Sequence, residues 1–452
     1  MKVKIALVLI LYNLTCYATH MLGGYISLQH ITDYTYKVKF VSYTNEGANI
    51  QADRCYVNIH FSDGDSIICD RINGLPGNCT GVSTMGQVIA NSVKYNVYEG
   101  IKTFNNPGDY LVWTYDPNRS DGIVNIPGSI NAPFYIETFI RVVDPNLYCP
   151  ISSIDFGQLP VLSNPINTIF EFNLPIVKNQ NDSISYQLDT CRQYNNVPII
   201  GYTYPTGISF NNDYGKFIMS TIAAQGKYGI ATRVNKWRNG VLVSYTLVDF
   251  TFMLNGALSN TIQMPINSNL IANSDSVYIG NFSINDTIII TYFNPSNYVV
   301  SLYSEVNDSL ITQNTSGTTT QLSLTNLSSL ERRQPYKLTL RAIDNPITNN
   351  MGKDYIFLFT IGNNNLFNCI LPQDLGAVEN MKSSIQFFPN PANDYVSING
   401  AKNQYLNIID IYGKTIYKGQ LKSDTEVIDI QDLSNGVYII NIGYESSKFV
   451  KY

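Results

Sequence analysis

Four times along the chain a turn residue leads into a tyrosine that opens an alternating strand. The four places are Pro107-Gly108-Asp109-Tyr110, Gly226-Lys227-Tyr228, Gln334-Pro335-Tyr336 and Gly436-Val437-Tyr438. These tyrosines recur at intervals of roughly a hundred residues, the length of one antiparallel β-sandwich. A tyrosine in that position sends its ring into the core while its hydroxyl satisfies backbone groups of the turn. The polarity pattern between them has period two. Tyr36, Val38 and Phe40 fall on one face of a strand, Lys37 and Lys39 on the other. Residues 55–61, 67–69, 93–98 and 110–115 continue in this style, and helical periodicity is nearly absent. The chain reads as all-β. The repeat divides it into tandem sandwiches over Thr19–Pro150, Ile151–Gln263 and Met264–Leu366, a linker at 367–384 holding Cys369, and a small C-terminal sandwich over Ile385–Tyr452.

Composition narrows what such sandwiches can be. Charged residues are 14% of the chain, against roughly 25% in an average soluble protein. Thirty-three tyrosines, with asparagine, serine and threonine, carry the polar faces instead. The net charge of −5 argues against nucleic acid or anionic membrane as a partner. Met1 to Ala18 carries Lys2 and Lys4, an apolar run from Ile5 to Tyr12, and Ala18 before Thr19. That is the pattern of a secretory signal peptide, with an apolar run too short to span a bilayer. No later stretch is long and apolar enough for a transmembrane helix. In an oxidising compartment Cys55, Cys69, Cys79, Cys149 and Cys191 are disulfide candidates, with Cys369 making six and the connectivity open.

The C-terminal stretch carries ordered motifs: Pro389-Asn390-Pro391, then Ile409-Asp410-Ile411-Tyr412-Gly413-Lys414, then Asp432-Leu433-Ser434-Asn435-Gly436-Val437-Tyr438-Ile439, with Lys448 before the last strand. Residues 385–452 resemble the C-terminal sorting domain, or Por secretion tail, that takes proteins through the type IX secretion system of Bacteroidetes. The resemblance implies a sorting signal in Pro389, Asn390, Pro391, Asp410, Gly413, Gly436, Tyr438 and Lys448. It further implies the type IX machinery as a partner, passage through the periplasm, and a final place outside the outer membrane of a Gram-negative cell.

A second resemblance rests on Thr19-His20 with Gly23-Gly24, on Asp116-Pro117-Asn118-Arg119-Ser120-Asp121-Gly122, on Pro133-Phe134-Tyr135-Ile136-Glu137-Thr138 and on Lys236-Trp237-Arg238-Asn239-Gly240. These look like gliding-motility-associated surface proteins, which are built of PKD-like or cadherin-like sandwiches. Asn239-Gly240 also suits a two-residue hairpin turn. The segment before Ile184-Ser185-Tyr186 departs from that pattern, with a single aspartate, Asp182.

Chemistry is sparse. None of His20, His30 and His60 sits in a zinc-protease helix motif, and no nucleophile elbow or phosphate loop occurs. Glu99 and Glu137 are the carboxylates a glycoside hydrolase reading would invoke, and nothing in their context marks them. Asp63-Gly64-Asp65 and Asp116-Pro117-Asn118 are oxygen-rich turns, which makes Asp63, Asp65 and Asp116 candidate calcium ligands, although aspartate also simply favours turns. No other cofactor is expected. Asp-Ser/Thr-apolar triplets place candidate O-glycosylation at Ser66, Ser183, Ser276, Thr287 and Ser309. The reading favoured is a non-enzymatic adhesion, motility or matrix-binding protein. It would meet a surface glycan or protein through tyrosine-rich segments such as Tyr194, Tyr202 and Tyr204. The alternative is a secreted hydrolase acting on polysaccharide or protein.

Overall fold

A computed structural model describes residues 21–45, 54–74, 86–90, 93–177, 179, 182–220, 224–258, 262–274, 276–330, 334–344, 351–362, 386–388, 392–399, 402, 405–410, 415–423, 425–442 and 445–451. The expected signal peptide, the linker, Cys79, Cys369, Pro389, Asn390, Pro391 and Gly413 lie outside these. Among the described residues the regular structure is β, with four short 3-10 turns. Two compact units divide the chain, Met1–Leu371 and Pro372–Tyr452.

The first unit begins with β1 (Met21–Thr32), β2 (Thr35–Asn45), β3 (Tyr56–Phe61), β4 (Ser66–Arg71), β5 (Gln87–Ala90), β6 (Val93–Thr103), β7 (Gly108–Asp116) and β8 (Phe134–Val142). A long hairpin follows much later, β9 (Gly226–Arg238) and β10 (Val241–Asn255). Its turn is the Asn239-Gly240 pair, with φ of 53° and 82°, the left-handed conformations that such a turn requires. β10 pairs with β1 at Gly23–Gly24 and with β8 at Thr138–Ile140. The order β10-β1-β2-β6-β4-β3-β7-β8 therefore returns to β10 within a 14-stranded sheet. The boundary expected at Pro150 does not separate two sheets, because the strands of the second sandwich complete the sheet of the first.

Two cores follow. Ile26, Val38, Phe40, Ile59, Val112 and Ile136 are buried in one, inside the circuit of strands. Tyr25, Val41, Tyr43, Phe172, Phe217 and Phe250 are buried in the other, where a three-stranded sheet of Phe170–Asn173, Lys216–Met219 and Ile208–Asn211 contributes Phe172 and Phe217. β2 serves both, with Tyr36, Val38 and Phe40 in the first and Val41 and Tyr43 in the second. A strand covered on both faces loses the simple alternation that marks a half-buried one.

Residues 262–361 form a separate two-sheet sandwich, whose larger sheet contains β11 (Tyr336–Asp344) and β12 (Met351–Ile361). It is fastened to the preceding layer by polar contacts. Arg341 clasps Asp354 at 2.7 and 2.8 Å and donates to the Asn173 carbonyl, while the Asn173 amide donates to Asp354 at 2.7 Å. Lys337 donates to the carbonyls of Leu174 and Tyr214 at 3.1 and 2.9 Å, and the Gln334 amide bonds both ways with the Ile184 backbone.

The second unit packs the sheet of residues 386–388, 395–399 and 425–429 with a four-stranded sheet that contains β13 (Gly436–Ile442). Val396, Ile398, Leu406, Ile408, Ile440 and Phe449 are among its core. The tyrosine repeat is realised as expected where its turns are described. Tyr110 donates to the Asn106 carbonyl at 2.8 Å, Tyr228 to Ala224 at 2.9 Å and Tyr438 to Ser434 at 2.8 Å. Each bond reaches four residues back, which is the tyrosine-corner geometry.

Candidate functional site

The three carboxylates expected to hold calcium are spoken for by cations of the chain itself. Lys102 reaches both Asp63 and Asp65, at 2.9 and 2.6 Å. Its ammonium lies 4.9 and 5.4 Å from the ring centres of Phe61 and Phe104. The hydrogen bond from Lys102 holds the Asp65 carboxyl below the usual carboxylate range. Asp116 pairs instead with Arg54 at 2.7 Å. An ammonium and a guanidinium thus stand where a divalent ion would need open oxygens. Among the described residues no three acidic, histidine or cysteine side chains gather for a metal.

The cysteines also divide differently from expectation. Cys55 and Cys149 are in disulfides, whereas Cys69 and Cys191 are free and buried. Cys69 points into the first core, and burial pushes its thiol up to about 12. Burial, then the charge of Asp249, raises the Cys191 thiol well above its ordinary value. Both shifts disfavour the thiolate that a nucleophile needs. Of the glycosylation candidates, Ser66, Thr287 and Ser309 are exposed and Ser183 is half-buried. Ser276 is a correction: it is fully buried, accepts from Lys216 at 3.0 Å and donates to Glu171, so no glycan can reach it.

Of the residues carrying the motility-protein resemblance, Gly23, Gly24, Arg119 and Ser120 meet at one seam, while Arg238 pairs elsewhere with Asp182. A Cβ on Gly24 would stand 2.4 Å from the Val41 carbonyl, and one on Gly23 would stand 2.6 Å from that of Asp249. Only glycine lets β1 lie so close to both β2 and β10. Beside them Arg119 clasps Asp249 at 2.9 and 2.7 Å and donates to the carbonyls of Pro133 and Arg192. Ser120 bonds to the Met21 carbonyl and accepts from Lys227. These side chains hold the sheet closed. Tyr202 packs beside Cys191 and donates to the Gly229 carbonyl, so it too belongs to the framework.

The groups weighed for catalysis are likewise engaged. Glu137 is fully buried and accepts from Tyr135 and Tyr245, both at 2.8 Å, and from Asn196 at 3.2 Å. Glu99 pairs with Lys37 at 3.3 Å, and the His30 ring meets the Asp33 carbonyl. His20 lies outside the described residues.

His60 has a different setting, one that sequence reasoning missed. It opposes Trp113 across β3 and β7, and its ring lies 5.8 Å from Trp113 and 6.1 Å from Tyr115, at 26° and 9° to their planes. Tyr194 then meets Tyr115 edge-on at 4.9 Å. Tyr115 and Tyr194 are 46% and 41% exposed. Here an outward strand face carries aromatic rings where charged residues would be ordinary. The available signal was Trp113 and Tyr115 two positions apart on one strand, hence on one face. β3 and β7 pair only at His60–Phe61 with Val112–Trp113. Just beyond, the Thr114 hydroxyl donates to the Asn58 carbonyl at 2.9 Å, and a cavity of about 130 Å³ is lined by Arg54, Asn58, His60, Tyr115 and Asp116 together with the core rings of Phe40, Tyr98 and Phe134.

In the second unit, Asp410 opposes Tyr438 across two strands, Gly436 opens β13, and Lys448 opposes Ile439. Asp410, Asp432, Asn435, Gly436 and Tyr438 line one open concavity of about 450 Å³. Motifs separated in sequence therefore converge there, with the Tyr438 corner fixing the turn before β13.

No sequence among the curated proteins matches the chain. Solved structures similar to it include a chimeric titin Z1Z2 carrying a KLER peptide from decorin (12% identity, 47% of this chain and 97% of that one, TM-score 0.16). Another is the N-terminal eight Ig domains of Down Syndrome Cell Adhesion Molecule (10% identity, 95% of this chain, TM-score 0.18), of which this chain spans 49%. A third is the BSP domain of a biofilm associated protein (10% identity, 96% of each chain, TM-score 0.14). Residues 386–452 match the family described as the secretion system C-terminal sorting domain. These residues belong to that sorting-domain family, and the chain is type IX cargo, exported to the cell surface or the medium.

Proposed function

We propose that the first unit is a non-enzymatic binding protein, serving adhesion or matrix contact at the cell surface. The observation that carries this is the outward row of His60, Trp113, Tyr115 and Tyr194. Exposed rings on a rigid sheet give contact area at little cost in conformational entropy. The sorting domain brings that face to where a partner outside the cell can meet it. Ser66, Thr287 and Ser309, being exposed, are the places where O-glycans would decorate this surface.

The test is the exported protein on an array of glycans and proteins, beside an assay for turnover of polysaccharide and protein substrates. Retention of an array partner without turnover is the expected result. Release of products from a substrate would favour the hydrolase alternative and overturn this one.

A further inference from the structure

We propose that the ring row and the cavity beside it form a site for a neutral saccharide. This rests on the binding reading above and deepens it.

Three observations choose the ligand class. The rings of Trp113, His60 and Tyr115 follow one another at 5.8 and 6.1 Å, a spacing close to the length of one sugar unit. Aromatic rings receive the C–H-rich faces of pyranoses, and a row of them suits a linear oligosaccharide. Next, among the described residues the Arg54 and Asp116 lining the cavity are a cation and an anion already joined, at 2.7 Å. Such a pair offers both donors and acceptors to hydroxyl groups, yet carries no net charge with which to attract an anionic polymer or a phosphorylated peptide. Asn58 adds an amide at the same wall. Finally, the cavity holds about 130 Å³. That is room for a sugar substituent but small for a ligand-sized pocket, and four rings fall short of the roughly 800 Å² that each partner of a stable protein complex covers. A sugar chain lying along the row, with one substituent entering the cavity, fits all three.

The chain has two tryptophans, and Trp237 is half-buried with its indole N–H on Ser185. A W237F background therefore leaves Trp113 as the sole tryptophan reporter. The full chain in that background is titrated with neutral hexasaccharides of glucose, xylose and mannose, and with a sulfated hexasaccharide, while Trp113 fluorescence is followed. The site predicts a saturable change with at least one neutral sugar. It predicts that Y115A and Y194A each weaken binding about tenfold or more, and that R54M weakens it with the rings intact. Near-UV circular dichroism checks that each variant folds. Tighter binding of the sulfated sugar would overturn the neutral class. If no sugar binds but an array protein does, and Y115A abolishes that, the saccharide assignment fails and the binding reading stands. Binding indifferent to Y115A and Y194A, or no partner of either kind, would overturn both.

Discussion

Inside the larger unit three buried arginines each clasp a carboxylate: Arg119 on Asp249, Arg238 on Asp182 and Arg341 on Asp354. The core of the sorting domain is aliphatic, joined by the rings of Tyr438 and Phe449. The difference follows from layering. A small two-sheet domain has one interior, and apolar burial at about 25 cal/mol per Å² can hold it. The larger unit covers strands such as β2, β10, β11 and β12 on both faces, so polar side chains there have no water to face. Each must find a directed partner, and each pair then fixes how one layer sits on the next. Arg341 does this most completely, joining β11 and β12 to the Asn173 strand.

Loss of that arginine should do the most damage. R341M leaves Asp354 charged and buried, and should lower stability by about 3–5 kcal/mol in urea unfolding. The double variant R341M/D354L should recover much of that loss. Comparable damage from the single and double variants would mean that packing, not pairing, holds the junction.

Close approach is the next contrast. G24A puts a methyl into the Val41 carbonyl and should cost about 1–3 kcal/mol. G436A in the sorting domain meets nothing nearer than 4.0 Å and should be nearly neutral to folding, so thermal unfolding of the two variants should differ.

Acid should expose one of the buried pairs of the larger unit. Burial alone would raise the Asp182 carboxyl, but the hydrogen bond from Arg238 and the charge of Lys236 outweigh it and hold it low. A carboxyl depressed on folding adds stability above its unfolded value of about 4, and loses it as pH falls through the folded value. Denaturation of the larger unit should therefore steepen below about pH 4, and D182N should flatten that limb while lowering stability at neutral pH. An unchanged acid limb in D182N would remove Asp182 from the account.

The smallest effect is the one shared by both units. Y110F, Y228F and Y438F each remove a hydroxyl bond to a carbonyl four residues back, worth about 0.5–1.5 kcal/mol. Similar losses at all three would show one device reused, and a loss confined to one would not.

What was legible in the sequence was local. The tyrosine corner spans four residues and the Asn239-Gly240 turn two, so neighbouring letters specify them. Closure of the sheet was not legible, because Gly24 meets Asp249 across most of the unit. The same distance in sequence hid the cations: Lys102 answers Asp63 and Asp65, and Arg54 answers Asp116, so the carboxylates looked like open metal ligands. Counting cysteines could not tell Cys69 and Cys191, which pack as small apolar groups, from the bonded Cys55 and Cys149. The ring row was half-legible. Trp113 and Tyr115 share a strand face by simple alternation, but His60 and Tyr194 join them only through strand pairing and the turn at Tyr194–Asn196.

Residues 386–452 carry the export signal, and cell fractionation of a strain producing the chain without them tests this most directly. The truncated protein should accumulate in the periplasm, folded and still able to bind. Delivery of that truncated protein to the cell surface would contradict it.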